Sequence, residues 1–174
     1  MRQRLKQYPL ALALLVTLAA ASVAVPVPEP VLREAYDRYQ QYEAGIRSLL
    51  SNATTRDLAV YQMFTGSVVQ VLASGTPLLG PIFAAYTAAQ LGLAVKMLAV
   101  AELRDVAVTA LSVFVDPSIW MLLLAYTIAL VESAHLTQAV LRRTRPELEL
   151  SFAMLLLAAV LVLMSATLVA LMPL

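Results

Sequence analysis

Apolar residues in this chain do not alternate with polar ones. They come in long runs separated by short polar breaks, which predicts membrane-length helices rather than strands. The first run, Leu10 to Val25, follows the basic residues Arg2, Arg4 and Lys6. Counted from Tyr8 it reaches about 27 Å at 1.5 Å per residue, enough for a short span. Ser22-Val23-Ala24 resembles the small-residue site at which a signal peptide is cut. Residues 1–25 are expected to form an uncleaved signal-anchor span, with a cleaved signal peptide as the alternative.

Residues 26–57 break the apolar pattern. Pro30 suits the first turn of a helix, and Leu32, Ala35, Tyr39, Tyr42, Ile46 and Leu49 recur at three–four spacing. This predicts an amphipathic helix lying on the bilayer, with its tyrosines at headgroup level, or docked on a partner. Asn52-Ala53-Thr54 matches a glycosylation sequon.

Residues 58–174 hold the remaining runs. Leu58 to Gly75 ends in "GTPLLGP", a turn signal. Ile82 to Ala101 ends at the charged Glu102 to Asp105. Val106 to Gln138 would be about 50 Å long as one helix, more than a hydrocarbon core of about 30 Å accommodates. It should break at Asp116-Pro117, where the aspartate can cap a new helix and proline is tolerated at its first position. Ser151 to Leu171 is almost wholly apolar. The expected class is all-α: a polytopic transmembrane helix bundle of about five spans plus one external amphipathic helix. Arg142, Arg143 and Arg145 precede the last span as Arg2, Arg4 and Lys6 precede the first. By the positive-inside rule both clusters are cytoplasmic, residues 26–57 are external, and the C-terminus is external. The location expected is the cell membrane.

Composition agrees. The 174 residues are 61% hydrophobic and 13% charged, where an average soluble domain is about a quarter charged. Mean hydropathy is +0.80. A formal charge of +1 offers no electrostatic case for nucleic acid. With no cysteine and one histidine, disulfides, iron–sulfur clusters, thiolate zinc sites and bis-histidine haem are excluded within the chain, and no cofactor is expected.

The polar residues inside the apolar runs are the candidate sites. Gln62, Gly66, Gln70 and Ser74 share one face of the second span, which should meet the third or fourth span. In the third span Ala84, Ala88, Gly92 and Lys96 form a small-residue face, with Thr87 and Gln90 nearby; Ala125, Ala129 and Ser133 repeat the device in the fourth. The pattern predicts a compact bundle of spans two, three and four, with the last span peripheral and largely lipid-exposed. Glu132 and His135, three apart, can touch each other. Asp116, Glu132 and His135 are polar candidates for an inter-helix or interfacial role, partner binding, or ion conduction. No paired acids, Ser–His arrangement or metal set points to catalysis.

The order of these features resembles the stage II sporulation protein M-like membrane family of archaea and bacteria. Where that family has Asn-Gly-x-x-x-Gly, "YTAAQLG" places Thr87, Ala88 and Gly92, so the last glycine is kept. Where it has a Pro-His-Gly-x-x-Glu-like start followed by Ala-Tyr-x-x-Ala, "PSIWMLLLAYTIA" matches at Pro117, Ala125, Tyr126 and Ala129. Ser118 and Ile119 replace the His-Gly, and Leu122 stands in the glutamate's place. The resemblance implies a non-enzymatic membrane protein that works in complexes. The expected function is a non-catalytic subunit or scaffold of a membrane complex, an accessory subunit of a respiratory or other membrane oxidoreductase included. Its partners would be other membrane subunits and the lipid bilayer, with no nucleic acid or small-molecule substrate. The alternative is a small transporter or channel with a polar path between the Gln62/Gln70 face and Thr87/Gln90.

Overall fold

The protein's computed structural model describes Arg4, residues 6–51 and residues 55–171. The sequon at 52–54 lies outside the described residues, as do Arg2 and the chain's last three positions. Seven helices and no strand occupy the described residues: α1 (Gln7–Val23), α2 (Glu29–Leu50), α3 (Arg56–Ser74), α4 (Gly80–Ala101), α5 (Val106–Val115), α6 (Pro117–Arg142) and α7 (Leu148–Leu171). Three of them, α4, α6 and α7, are long and apolar enough to cross a membrane, which is consistent with a membrane location.

Helix α6 is the axis. Every residue from Ala125 to Ser133 is buried, so its middle is surrounded rather than presenting one core-facing stripe. Helices α1, α3, α4 and α7 all pack on it. Its start follows from the sequence: Asp116 is extended and its carboxylate accepts from the Ser118 N–H at 2.8 Å, with Pro117 at the first position. The chain bends there, and α5 becomes a separate arm capped by Asp105, which accepts from the Ala107 N–H. Trp120 holds the arm by donating to the Phe114 carbonyl at 2.7 Å.

Side-chain contacts fix the directions. Helices α1 and α4 run parallel, Leu15 lying near Ala84 and Ala88 and Ser22 near Gly92. Helices α3 and α6 run the same way as each other, Gln70 meeting Tyr126 and Thr76 meeting Ser133. Helix α7 opposes α6, with Ser151 near Glu132 and Ser165 near Ser118. One end of the bundle therefore gathers the start of α1, the α3–α4 turn and the α6–α7 loop. At the other end the Lys96 ammonium donates to the Val25 carbonyl just past α1. There Ile46 and Leu50 of α2 pack with Ala59 and Ala170.

Two expectations are corrected here. Helix α7 is not peripheral to a bundle of α3, α4 and α6, because it lies along α6 and α3 with Ser151, Ala158, Val162, Ser165, Ala166 and Ala170 buried. Its small residues follow mixed three–four spacing rather than a strict four, and its outer side, including Phe152 and Leu156, is exposed. Helix α1 is itself part of the core, with Leu15 and Ala19 almost fully buried. The α2 stripe is partly spent on the chain's own bundle: Leu32 and Ile46 are buried while Tyr42 stays exposed. Tyr39 is also exposed, and partial desolvation, helped by the Glu43 carboxylate, pushes its phenol above its ordinary range.

The α1–α4 crossing depends on a missing side chain. A Cβ at Gly92 would overlap the Ala19 carbonyl oxygen and the Ser22 hydroxyl, whereas one at Gly66 on α3 would meet nothing. Gly92→Ala should therefore force the helices apart and cost about 1–3 kcal/mol. Gly66→Ala should be neutral or stabilising by up to about 1 kcal/mol. Unfolding of both variants in detergent, with equal losses of stability, would contradict this account of the crossing.

Candidate functional site: a buried carboxylate and an uncovered polar face

Glu132 is fully buried, and burying a carboxylate is costly unless its oxygens are paired. The pairing comes from two other helices. The Arg4 guanidinium spans both Glu132 oxygens at 3.3 and 3.1 Å, and the Ser151 hydroxyl donates to Oε2 at 2.7 Å. Arg4 also reaches Glu147 at 3.1 Å. Four residues from the α1 entry, the α6–α7 loop, α6 and α7 thus form one clasp, with Arg4 shared between two carboxylates.

The contact that the sequence makes feasible, Glu132 to His135, is not the one formed. The i+3 position is available, but Glu132 finds a permanent cation and a hydroxyl, both better partners for a buried anion than a weakly basic imidazole. His135 Nε2 is buried and has no hydrogen-bond partner among the described residues. It lines a cleft of about 290 Å³ with Arg4, Arg142, Arg145 and Ser151. Sequence spacing could not find Arg4 as the partner, since 128 residues separate it from Glu132.

The other candidates scatter. Gln70 accepts from the Tyr126 hydroxyl at 3.0 Å, and Tyr126 shares a small cavity of about 40 Å³ with Thr87. Tyr126 is thus the link between α3, α6 and α4. Gln62 was expected to face α4 or α6 and does not: it is exposed, as are Gly66 and most of Gln70. Gln90 is exposed on α4. The reason is the placement of α3, which packs through Val60, Phe64 and Val71 on the side of the helix opposite Gln62, while Ala59 and Ser74 are buried near its two ends. Lys96 and Gly92 belong to the α1–α4 crossing, and Asp116 is a helix cap. Among the described residues no group of three His, Cys, Asp or Glu side chains is placed to hold a metal ion.

No protein-family model, curated protein or solved structure matches the chain. The resemblance to the sporulation protein M-like family therefore rests on the residues quoted for it.

The clasp predicts an asymmetric pair of variants. Arg4→Leu strands Glu132 in the interior and should cost about 3–5 kcal/mol. Glu132→Leu should cost less, because Arg4 keeps Glu147 and is close to the surface. The double variant should be more stable than the sum of the two implies, since a pair of apolar residues restores a consistent interior. Denaturant titration in mixed micelles measures all three; strict additivity would mean that the pair does not interact.

Proposed function

We propose that the chain is a non-catalytic integral membrane subunit that seats a partner's span on the outer face of α3. The observation that carries this reading is the uncovered row Gln62, Gly66 and Gln70, joined by Gln90 on the neighbouring helix. In hydrocarbon each unsatisfied carboxamide costs several kcal/mol, and polar residues in spans normally face protein or water. Gly66 has open space before it, so a partner helix could come close enough to bond both glutamines. The likeness to the sporulation protein M-like family, whose members work in complexes, points the same way.

In this reading α1, α3, α4, α6 and α7 are the five spans, and α2 and α5 lie at the external surface. Arg4, Arg142 and Arg145 line one cleft, which supports assigning that end to the cytoplasm. Residues 26–57 are then external, and the N-terminal segment is a retained anchor. Single cysteines at Gln41 and Arg143 should label from opposite sides of sealed vesicles. Labelling from the same side would overturn the topology.

Isolation from native membranes tests the subunit reading. A stoichiometric membrane partner should co-purify, cross-link to a cysteine at Gln62, and be lost in Gly66→Leu, which should fold normally because nothing of this chain fills that space. Solitary behaviour in mild detergent would count against it. An ion flux that the purified chain supports and that Gln70→Leu abolishes would favour a transporter instead.

A further inference from the structure

The clasp uses only part of the cleft it borders. Arg4 is answered by Glu132 and Glu147. Arg142 and Arg145 have no carboxylate within 4 Å among the described residues, and they line the same cleft as the unpartnered His135. The end of α6 holds them there. Arg143 adopts a left-handed φ of 53°, its N–H bonds to the Val140 carbonyl and the Thr144 N–H to the Ala139 carbonyl. That double closure ends the helix and turns the chain back across its own terminus. The one carboxylate in the cleft's lining, Glu147, is paired with Arg4, so Arg142, Arg145 and His135 are left as surplus donors.

A second cavity lies farther along α6 and α7 from the loop that joins them, with α1 as its third wall. It is an apolar groove of about 450 Å³ lined by Tyr8, Leu12, Leu124, Ile128 and Met154. Two helices pass from cleft to groove on one face, His135 to Ile128 on α6 and Ser151 to Met154 on α7, and Tyr8 on α1 follows Arg4, which precedes that helix. Spacings of seven and three residues keep a helix face in register. On α6 the step from His135 to Ile128 is about 10 Å along the axis. A cationic pocket followed in the same direction by an apolar channel has the polarity of a phospholipid, with its phosphate at the surface and its hydrocarbon below.

We infer that this end of the bundle binds a single anionic phospholipid. Its phosphate meets Arg142, Arg145 and His135, and one hydrocarbon chain lies along Tyr8, Leu124 and Ile128. Arg142 and Arg145 supply charge-assisted hydrogen bonds to the phosphate oxygens, and basic pockets between helices at a membrane surface suit such headgroups. The inference rests on the membrane placement proposed above but not on the partner face of α3, which is a different surface.

Native mass spectrometry of the delipidated full chain, titrated with phosphatidylglycerol or phosphatidylcholine, tests it. A single phosphatidylglycerol should be retained in preference to phosphatidylcholine. The double variant Arg142→Ala/Arg145→Ala should weaken it about thirtyfold. Leu124→Trp, at an exposed groove position, should weaken either lipid by filling the channel. Arg143→Gly removes a charge from the same loop outside the cleft and relieves the left-handed strain; it should leave the bound lipid largely in place. A loss in Arg143→Gly as large as in the double variant would reveal diffuse surface attraction and overturn the site. Full competition by inorganic phosphate with no effect of Leu124→Trp would show an anion pocket and overturn the lipid assignment. Thermal melting of each variant, unchanged from the parent, separates these outcomes from misfolding; co-purification of a partner is read independently.

Discussion

A carboxylate with no access to solvent constrains this fold more than any other group. Glu132 sits in the most buried stretch of α6, and only a cation delivered from elsewhere in the chain makes that tolerable. Arg4 delivers it from the entry to α1, and Ser151 adds a hydroxyl from the first turn of α7. The entry to α1 and the first turn of α7 are thereby held against α6 at one point. The rest follows in sequence: with α1 pinned at its start, its later residues lie along α4, and Gly92 lets the backbones approach where Ala19 and Ser22 need the space. With α7 pinned at Ser151, its small residues lie along α6 as far as Ser165, which donates to the Ser118 carbonyl beside the Asp116 cap. A buried ion pair is weak evidence for stability in itself, since apolar residues of similar volume often do as well. Its effect here is on register: the carboxylate is satisfied with the entry to α1 and the first turn of α7 both brought to Glu132.

Local chemistry was legible in the sequence wherever its cause was local. Asp116 and Pro117 read as a cap and a first-turn proline, and the structure has a helix boundary there. "GTPLLGP" reads as a turn, and the structure closes it with Ser133 donating to the Thr76 carbonyl and Thr137 accepting from the Leu78 N–H. The small residues Ala84, Ala88 and Gly92 are buried, but their partner is α1, which a face-by-face reading of α3, α4 and α6 left outside the bundle. What periodicity cannot carry is the choice of neighbour. Glu132 and His135 are equally visible as a pair at helical spacing whether or not they meet. The actual partner lies at the opposite end of the chain.

The misplacement of Gln62 has a different cause. A polar face on an apolar helix implies that something polar covers it, and a single sequence offers only its own helices as covers. The structure shows α3 packed instead through Val60, Phe64 and Val71, apolar side chains on the opposite side of the helix whose burial forgoes no hydrogen bond. Between a cover that satisfies two carboxamides and one that packs tightly, the chain has taken the second. Gln70 alone recovers a bond inward, through Tyr126.

The surface left over is consequently divided by chemistry. The exposed side of α7 is a continuous apolar sheath of Phe152, Leu156, Val160 and Leu163, which asks nothing of its surroundings beyond hydrocarbon. The α3 face asks for hydrogen bonds without charge, and the cleft beside Arg4 asks for negative charge. These demands cannot be met by one kind of neighbour, because a lipid tail supplies no amide partner and another apolar span supplies no anion. A surface bordered by three incompatible environments suits the proposed part that sits between a bilayer and something else. That pattern favours a subunit over a solitary pore, whose polar groups would converge on one interior path. Here Gln62 and Gln90 point outward, while the interior link through Tyr126 ends in a cavity of about 40 Å³.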